Sequence, residues 1–191
     1  MQSGAVSNEL SFILRGGFMM YPLLFSAIVA VAVVIERLIV FHFRFRLNED
    51  ATTGPIASVI DAGQSGFKFS HEEMERSMRD RAELWLPLLE KRLDILDTII
   101  TAAPLMGLLG TITGMMASFQ VLSSKGVNEP SAITGGVAEA LIATATGLVI
   151  ALACLLAFNY FNHRVKLTVS KMESCAARLL ERRRRGLEAS L

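Results

Sequence analysis

Glu139 is the only charged residue between Ser131 and Asn162, a run otherwise made of apolar, small and hydroxyl residues. Placing a charge in hydrocarbon costs about 3 kcal/mol or more, so such a carboxyl is expected to face protein or water and to have a role. It stands only about two turns into its run. A structural carboxyl near the membrane face is therefore the competing reading. Two hydroxyls accompany it, Thr111 in the uncharged stretch Thr98–Ser124 and Thr144 beyond Glu139. Membrane threonines commonly bond the carbonyl one turn back and do nothing more, so taken alone these two read as structural. Glu139 and Thr144 are five positions apart, about 140° round a helix, and are not expected to line one face. Gly107, Gly110, Gly114 and Gly147 are small-residue positions where a neighbouring helix can come close, a helix-packing signal.

Other chemistries find little support. His42, His71 and His163 do not cluster, and Cys154 and Cys175 sit in unlike surroundings, which argues against a metal site or a disulfide framework. No phosphate-binding loop, nucleophile–base pattern or nucleic-acid signature occurs. No cofactor is implied, and the chain is expected not to be an enzyme.

These residues need elements to hold them. Of 191 residues, 52% are hydrophobic but only 7% aromatic, a lipid-facing composition carried by Ala, Val, Ile, Leu and Met. The net charge of +1 favours neither nucleic acid nor acidic substrates. Three stretches reach the ~20 apolar residues that a bilayer requires. They predict an all-α integral membrane protein with transmembrane helices over 16–43, 98–122 and 131–162. Of the 19 Lys and Arg residues, only Arg15 and Lys125 fall on one side of these spans. By the positive-inside rule 1–15 and the loop 123–130 are then outside, while 44–97 and 163–191 are cytoplasmic. No basic n-region or cleavage site precedes the first span, which is expected to stay in the mature protein.

The cytoplasmic segment 44–97 opens with Thr52-Thr53-Gly54-Pro55 and then turns helical. Ser70-His-Glu-Glu73 has the form of a capping box. Leu84, Leu88, Leu89, Leu93 and Leu96 recur at helical spacing and lead into the second span, predicting one long helix with a kink or division at Pro87. The third span is expected to continue through Val165, Val169, Met172, Ala176 and Leu179 to the basic run Arg182–Arg185. That run can meet anionic membrane lipid, though anchoring the inner side suffices to explain it. Thr111, Met115 and Ser118 are expected on one helix face, and Ala140, Thr144, Gly147 and Ala151 on one side of another.

Gly-Leu-Leu-Gly-Thr-x-x-Gly at 107–114 and Gly-Gly-Val-Ala-Glu-Ala-Leu-x-Ala-Thr-Ala-x-Gly-Leu at 135–148 resemble the MotA/TolQ/ExbB proton-channel family. The likeness is nearest the ExbB and TolQ branch. It is detailed from Leu93 to Phe161 and loose at Val34-Ile35-Glu36-Arg37. The resemblance implies a homo-oligomeric ring, a pentamer in ExbB-like members, around an ExbD- or TolR-like single-span partner bearing an essential Asp. Thr111 and Thr144 match the threonines facing that Asp, and Glu139 matches the family's span-three Glu. It further implies a proton-motive-force-driven motor in the bacterial inner membrane, energising outer-membrane transport through a TonB-like or equivalent periplasm-spanning protein. Two positions depart from the pattern: Ala153-Cys154 stands where Pro is usual, and Thr113 where an aromatic is frequent. A TolQ-like envelope-integrity motor, a gliding-motility motor, a non-conducting membrane scaffold and a channel acting alone are the rival readings. A flagellar stator, with more spans and a larger cytoplasmic domain, fits less well.

Overall fold

The computed structural model describes residues 17–43, 54–65, 70–125 and 130–188. The expected outer N-terminus 1–15, residues 126–129 of the loop 123–130 and the start of the 44–97 segment, with Thr52-Thr53, lie outside the described residues.

Every regular element among the described residues is an α-helix: α1 Met20–Phe43, α2 Pro55–Ser65, α3 His71–Glu90, α4 Leu93–Lys125 and α5 Pro130–Glu188. Apolar stretches long enough to cross a membrane occur at Met20–Phe41, in the stretch that ends at Ser123 in α4, and from Thr134 along α5. The helices divide between two compact units, one holding the described residues up to Val33 and Ile95–Phe158, the other Val34–Asp94 and the chain from Asn159.

In the first unit α1 buries Met20, Leu23, Ser26, Ala30 and Val33, spaced three or four apart on one face. Its other faces carry Phe18, Tyr21, Phe25, Ile28 and Val31 outward. A helix that is apolar all round and buries one stripe suits lipid on its remaining sides. The Ser26 hydroxyl is satisfied within the helix by donating to Leu23 O at 2.7 Å. The outward faces of α4 and α5 are equally apolar, with Leu105, Leu108, Met116, Phe119, Leu141, Val149 and Leu156 all exposed.

The second unit is a helical cluster with a conventional core. α2 packs on α3, burying Ile56 and Val59 with Met74 and Met78. Phe161, Val165, Thr168, Met172 and Cys175 give α5 a buried stripe of helical period, and Phe161 stacks on Phe41 at 5.8 Å between ring centroids. Gly63 closes the cluster, since a Cβ there would come within 2.8 Å of both Leu179 and Met78. At the start of α3 the Ser70 hydroxyl accepts from Glu73 N at 3.2 Å while Ser70 N donates to Glu73 Oε2 at 2.9 Å, a complete capping box. Arg183 of α5 donates to Ser70 O at 3.2 Å, tying the basic run to that cap.

The long helix expected to lead into the second span is divided, and not at Pro87. α3 passes through Pro87 and ends at Glu90. Lys91 then turns extended at φ −45°, ψ 130°, and Arg92 enters the left-handed region at φ 63°. Pro87 leaves the Glu83 carbonyl without an N–H partner, which weakens the last turn without breaking it. A left-handed non-glycine residue costs roughly 1–2 kcal/mol, so something must hold Arg92 there. Its guanidinium pairs with Glu36 of α1, which also meets Arg37 at 3.5 Å, and Arg37 in turn reaches Leu88 O at 3.5 Å. The leucine stripe is split as well. Leu89, Leu93 and Leu96 are buried, but Leu84 and Leu88 are exposed, about 100–140° away from Leu89 round the helix.

Replacing Ser70 by Ala removes one half of the cap, worth about 1 kcal/mol, and should speed amide exchange in residues 71–75 about fivefold. Unchanged exchange there would mean that packing of α3, and not its cap, holds that first turn.

Candidate functional site

α4 and α5 run antiparallel, and small residues on each meet small residues on the other. Ala103 faces Gly147, Gly107 faces Ala143 and Thr144, Gly110 faces Ala143, and Gly114 faces Ala140 and Gly136. The approach is backbone to backbone. A Cβ on Gly107 would fall 2.9 Å from Thr144 Cα and 3.0 Å from Ala143 O, and one on Gly147 would fall 2.5 Å from Ala103 O. Gly110 and Gly114 would press on the Ala143 and Ala140 methyls at 2.7 and 2.9 Å. Ala103, Ala140 and Ala143 are almost wholly buried. Spacing of three and four along both helices keeps this seam on one face of each.

The hydroxyls lie on and beside the seam. Thr144 Oγ1 donates to Gly107 O at 2.8 Å, a bond between the two helices. It joins two positions that sequence reasoning had assigned separately, one to chemistry and one to packing. Thr111 Oγ1 stays within its own helix, donating to Leu108 O at 2.6 Å. Thr113 and Thr146 likewise bond carbonyls of their own helices, at 3.0 and 2.8 Å. A threonine hydroxyl that donates to a carbonyl still has acceptor lone pairs, so the half-buried Thr111 and Thr144 can accept a proton-bearing group.

The expected face of Thr111, Met115 and Ser118 straddles the edge of the seam. Ser118 is buried against Gly136 and donates to Gly114 O at 3.0 Å, while Met115 is 43% exposed. On α5, Ala140, Gly147 and Ala151 are buried with Thr144 half-buried among them.

Glu139 stands apart from this set. Its half-buried carboxyl lies against Gly17, just ahead of α1, where Gly17 O accepts from Met20 N at 3.0 Å to open the helix. The structure thus brings Thr144, Gly107, Gly110, Gly114 and Gly147 together and sets Glu139 against the turn ahead of α1. Sequence reasoning gave no packing role to Gly17, Ala103, Gly136 or Ala143, although Gly136 and Ala143 stood within the 135–148 motif and Gly17 in a glycine pair ahead of the first span. Among the described residues no three His, Cys, Asp or Glu side chains gather as metal ligands.

Residues 52–174 match the MotA/TolQ/ExbB proton channel family, a stretch that contains the whole seam. The chain belongs to that family. It is 32% identical over 174 residues to the biopolymer transport protein ExbB-like 3 of Synechocystis, covering 78% of this chain and 82% of that one. It is 38% identical over 78 residues to the biopolymer transport protein ExbB of Aquifex aeolicus, covering 41% of this chain and 53% of the relative. It is also 35% identical over 100 residues to the Tol-Pal system protein TolQ of Pseudomonas aeruginosa, covering 52% and 43%. With its three membrane-capable helices, this member of the family is a multi-pass membrane protein.

The seam makes unequal demands on its members. Gly107→Val should lower the unfolding free energy of the detergent-solubilised chain by about 3 kcal/mol, because the helices must separate. Thr144→Val, losing one interhelical hydrogen bond of nearly constant shape, should cost only about 0.6 kcal/mol. Equal losses for the two variants would show that the hydrogen bond, and not the close approach, holds α4 to α5.

Proposed function

We propose that this chain is the channel-scaffold subunit of a proton-motive-force-driven motor of ExbB type, with the α4–α5 seam as its share of the proton path. The observation that carries the reading is what α4 and α5 offer a proton. Between Thr98 and Ser123 α4 has no ionisable side chain, and the apolar stretch of α5 has one charged residue, Glu139. Hydroxyls at Thr111 and Thr144 can hand a proton along but cannot store one. The titrating carboxyl must then come from a partner, and an ExbD- or TolR-like single-span subunit bearing a membrane Asp supplies that chemistry.

In this reading several copies of the chain form a ring, a pentamer, around the partner. The N-terminus lies in the periplasm and the C-terminus in the cytoplasm of a bacterial inner membrane, as the placement of Lys and Arg supports. A membrane potential supplies about 2.3 kcal/mol per charge per 100 mV, so each proton crossing between seam and partner carries usable work. The partner carboxyl is protonated from one side and passes the ring hydroxyls. It releases its proton to the other side, and the two parts turn relative to one another. A TonB-like or equivalent periplasm-spanning protein takes up the motion. Names of relatives in both the biopolymer-transport and the Tol-Pal systems suit this mechanism. It assigns the chain no covalent chemistry, no cofactor and no metal.

Thr111→Val and Thr144→Val should each abolish potential-driven proton uptake by membrane vesicles holding the whole complex, while partner binding stays normal. Full uptake by both variants, with the partner bound, would remove the two hydroxyls from the path.

A further inference from the structure

Gly17 carries two constraints at once. Its φ of +73° lies in the left-handed region, and a Cβ on it would collide with Oε1 of Glu139 and stand 2.9 Å from Cδ and 3.3 Å from Cγ. The first constraint belongs to the turn that opens α1. The second has nothing to do with that turn, because a glutamate on α5 occupies the volume where any side chain at 17 would begin.

Both walls of this contact are fixed. On one side Gly17 O accepts from Met20 N, Met20 and Leu23 are buried, and the Met19 side chain reaches to 3.4 Å from where a Gly110 Cβ would be. On the other side Glu139 precedes Ala140, which is 2% exposed and lies against Gly114 in the seam. The carboxyl is therefore confined between a turn that leans on α4 and a helix locked to α4. Among the described residues the contact that places it is the steric one with Gly17.

We propose that Gly17 is a positioning residue for the Glu139 carboxyl, a bare stretch of backbone against which that carboxyl rests beside the α4–α5 seam. This rests on the motor reading above and adds Glu139, the one charged residue in the apolar stretch of α5, to the proton path that reading describes. Any side chain at 17 displaces the carboxyl by an ångström or more, and proton transfer is sensitive to displacements of that size. Glu139→Asp withdraws the carboxyl by one methylene and makes room for a Cβ at 17.

The test compares Gly17→Ala in the Glu139 chain and in the Glu139→Asp chain, each in the full complex in vesicles, with proton uptake followed against pH at an imposed potential. Gly17→Ala alone should slow uptake roughly tenfold and move the pH midpoint of uptake. In the Glu139→Asp background the same change should alter rate and midpoint less than about twofold. The strain of Ala at a positive φ is the same in both chains, so equal losses in the two would overturn the proposal and leave Gly17 a turn residue. No effect of Gly17→Ala in the Glu139 chain, with Glu139→Gln inactive, would also overturn it while leaving Glu139 in the path. Full uptake by Glu139→Gln would overturn it by removing Glu139 from the path altogether.

Discussion

Between α4 and α5 there is no room for a side chain at Gly107, Gly110, Gly114 or Gly147, and the rest of the apolar unit depends on that absence. In lipid, burying apolar surface between helices gains nothing over leaving it against acyl chains. Close backbone approach and a hydrogen bond have to substitute for the hydrophobic effect. The seam supplies both, through glycines set so close to the facing helix that a Cβ on them would clash, and through Thr144 donating to Gly107 O. Because small residues take up the inner face from Ala103 to Gly114 and from Gly136 to Gly147, large residues such as Leu105, Phe119, Leu141 and Leu156 stand outward, towards lipid or neighbouring helices. The same displacement leaves hydroxyls as the polar groups at the seam.

The other unit is held by different physics. Its core of Val59, Met74, Met78, Phe161 and Met172 interlocks large apolar side chains instead of small ones, and a capping box with Arg183 on the cap carbonyl closes one end of it. Among its described residues Arg92 is the non-glycine residue at positive φ, 63°, and its guanidinium pairs with Glu36. Arg37, 2% exposed, shares that carboxylate and reaches a helix-terminal carbonyl of α3. Glu36-Arg37 thus forms a bracket on the α3–α4 corner.

Much of this was legible in the sequence because it is written in local spacing. Two glycine motifs, three apolar stretches and Ser70 with Glu73 announce themselves within a few residues. The break at Lys91–Arg92 does not. No Gly or Pro stands there, the leucine spacing runs through it, and the partner that holds Arg92 lies far back along the chain at Glu36. Pro87 misled for the opposite reason: a proline in a last turn can be tolerated there, and the helix yields one turn later. The contact of Gly17 with Glu139 was invisible because it joins a residue just ahead of α1 to a helix more than a hundred residues on. The bond from Thr144 to Gly107 was hidden by a habit of membrane threonines, which usually spend their proton on their own helix.

On the proposed motor reading, a seam that offers hydroxyls and no carboxyl needs a partner to bring one. The most direct measurement is native mass spectrometry of the complex extracted gently from its own membrane. The account expects several copies of this chain together with one or two copies of a small single-span protein that has an Asp within its span. A homo-oligomer without any such subunit, reproduced across mild detergents, would contradict it.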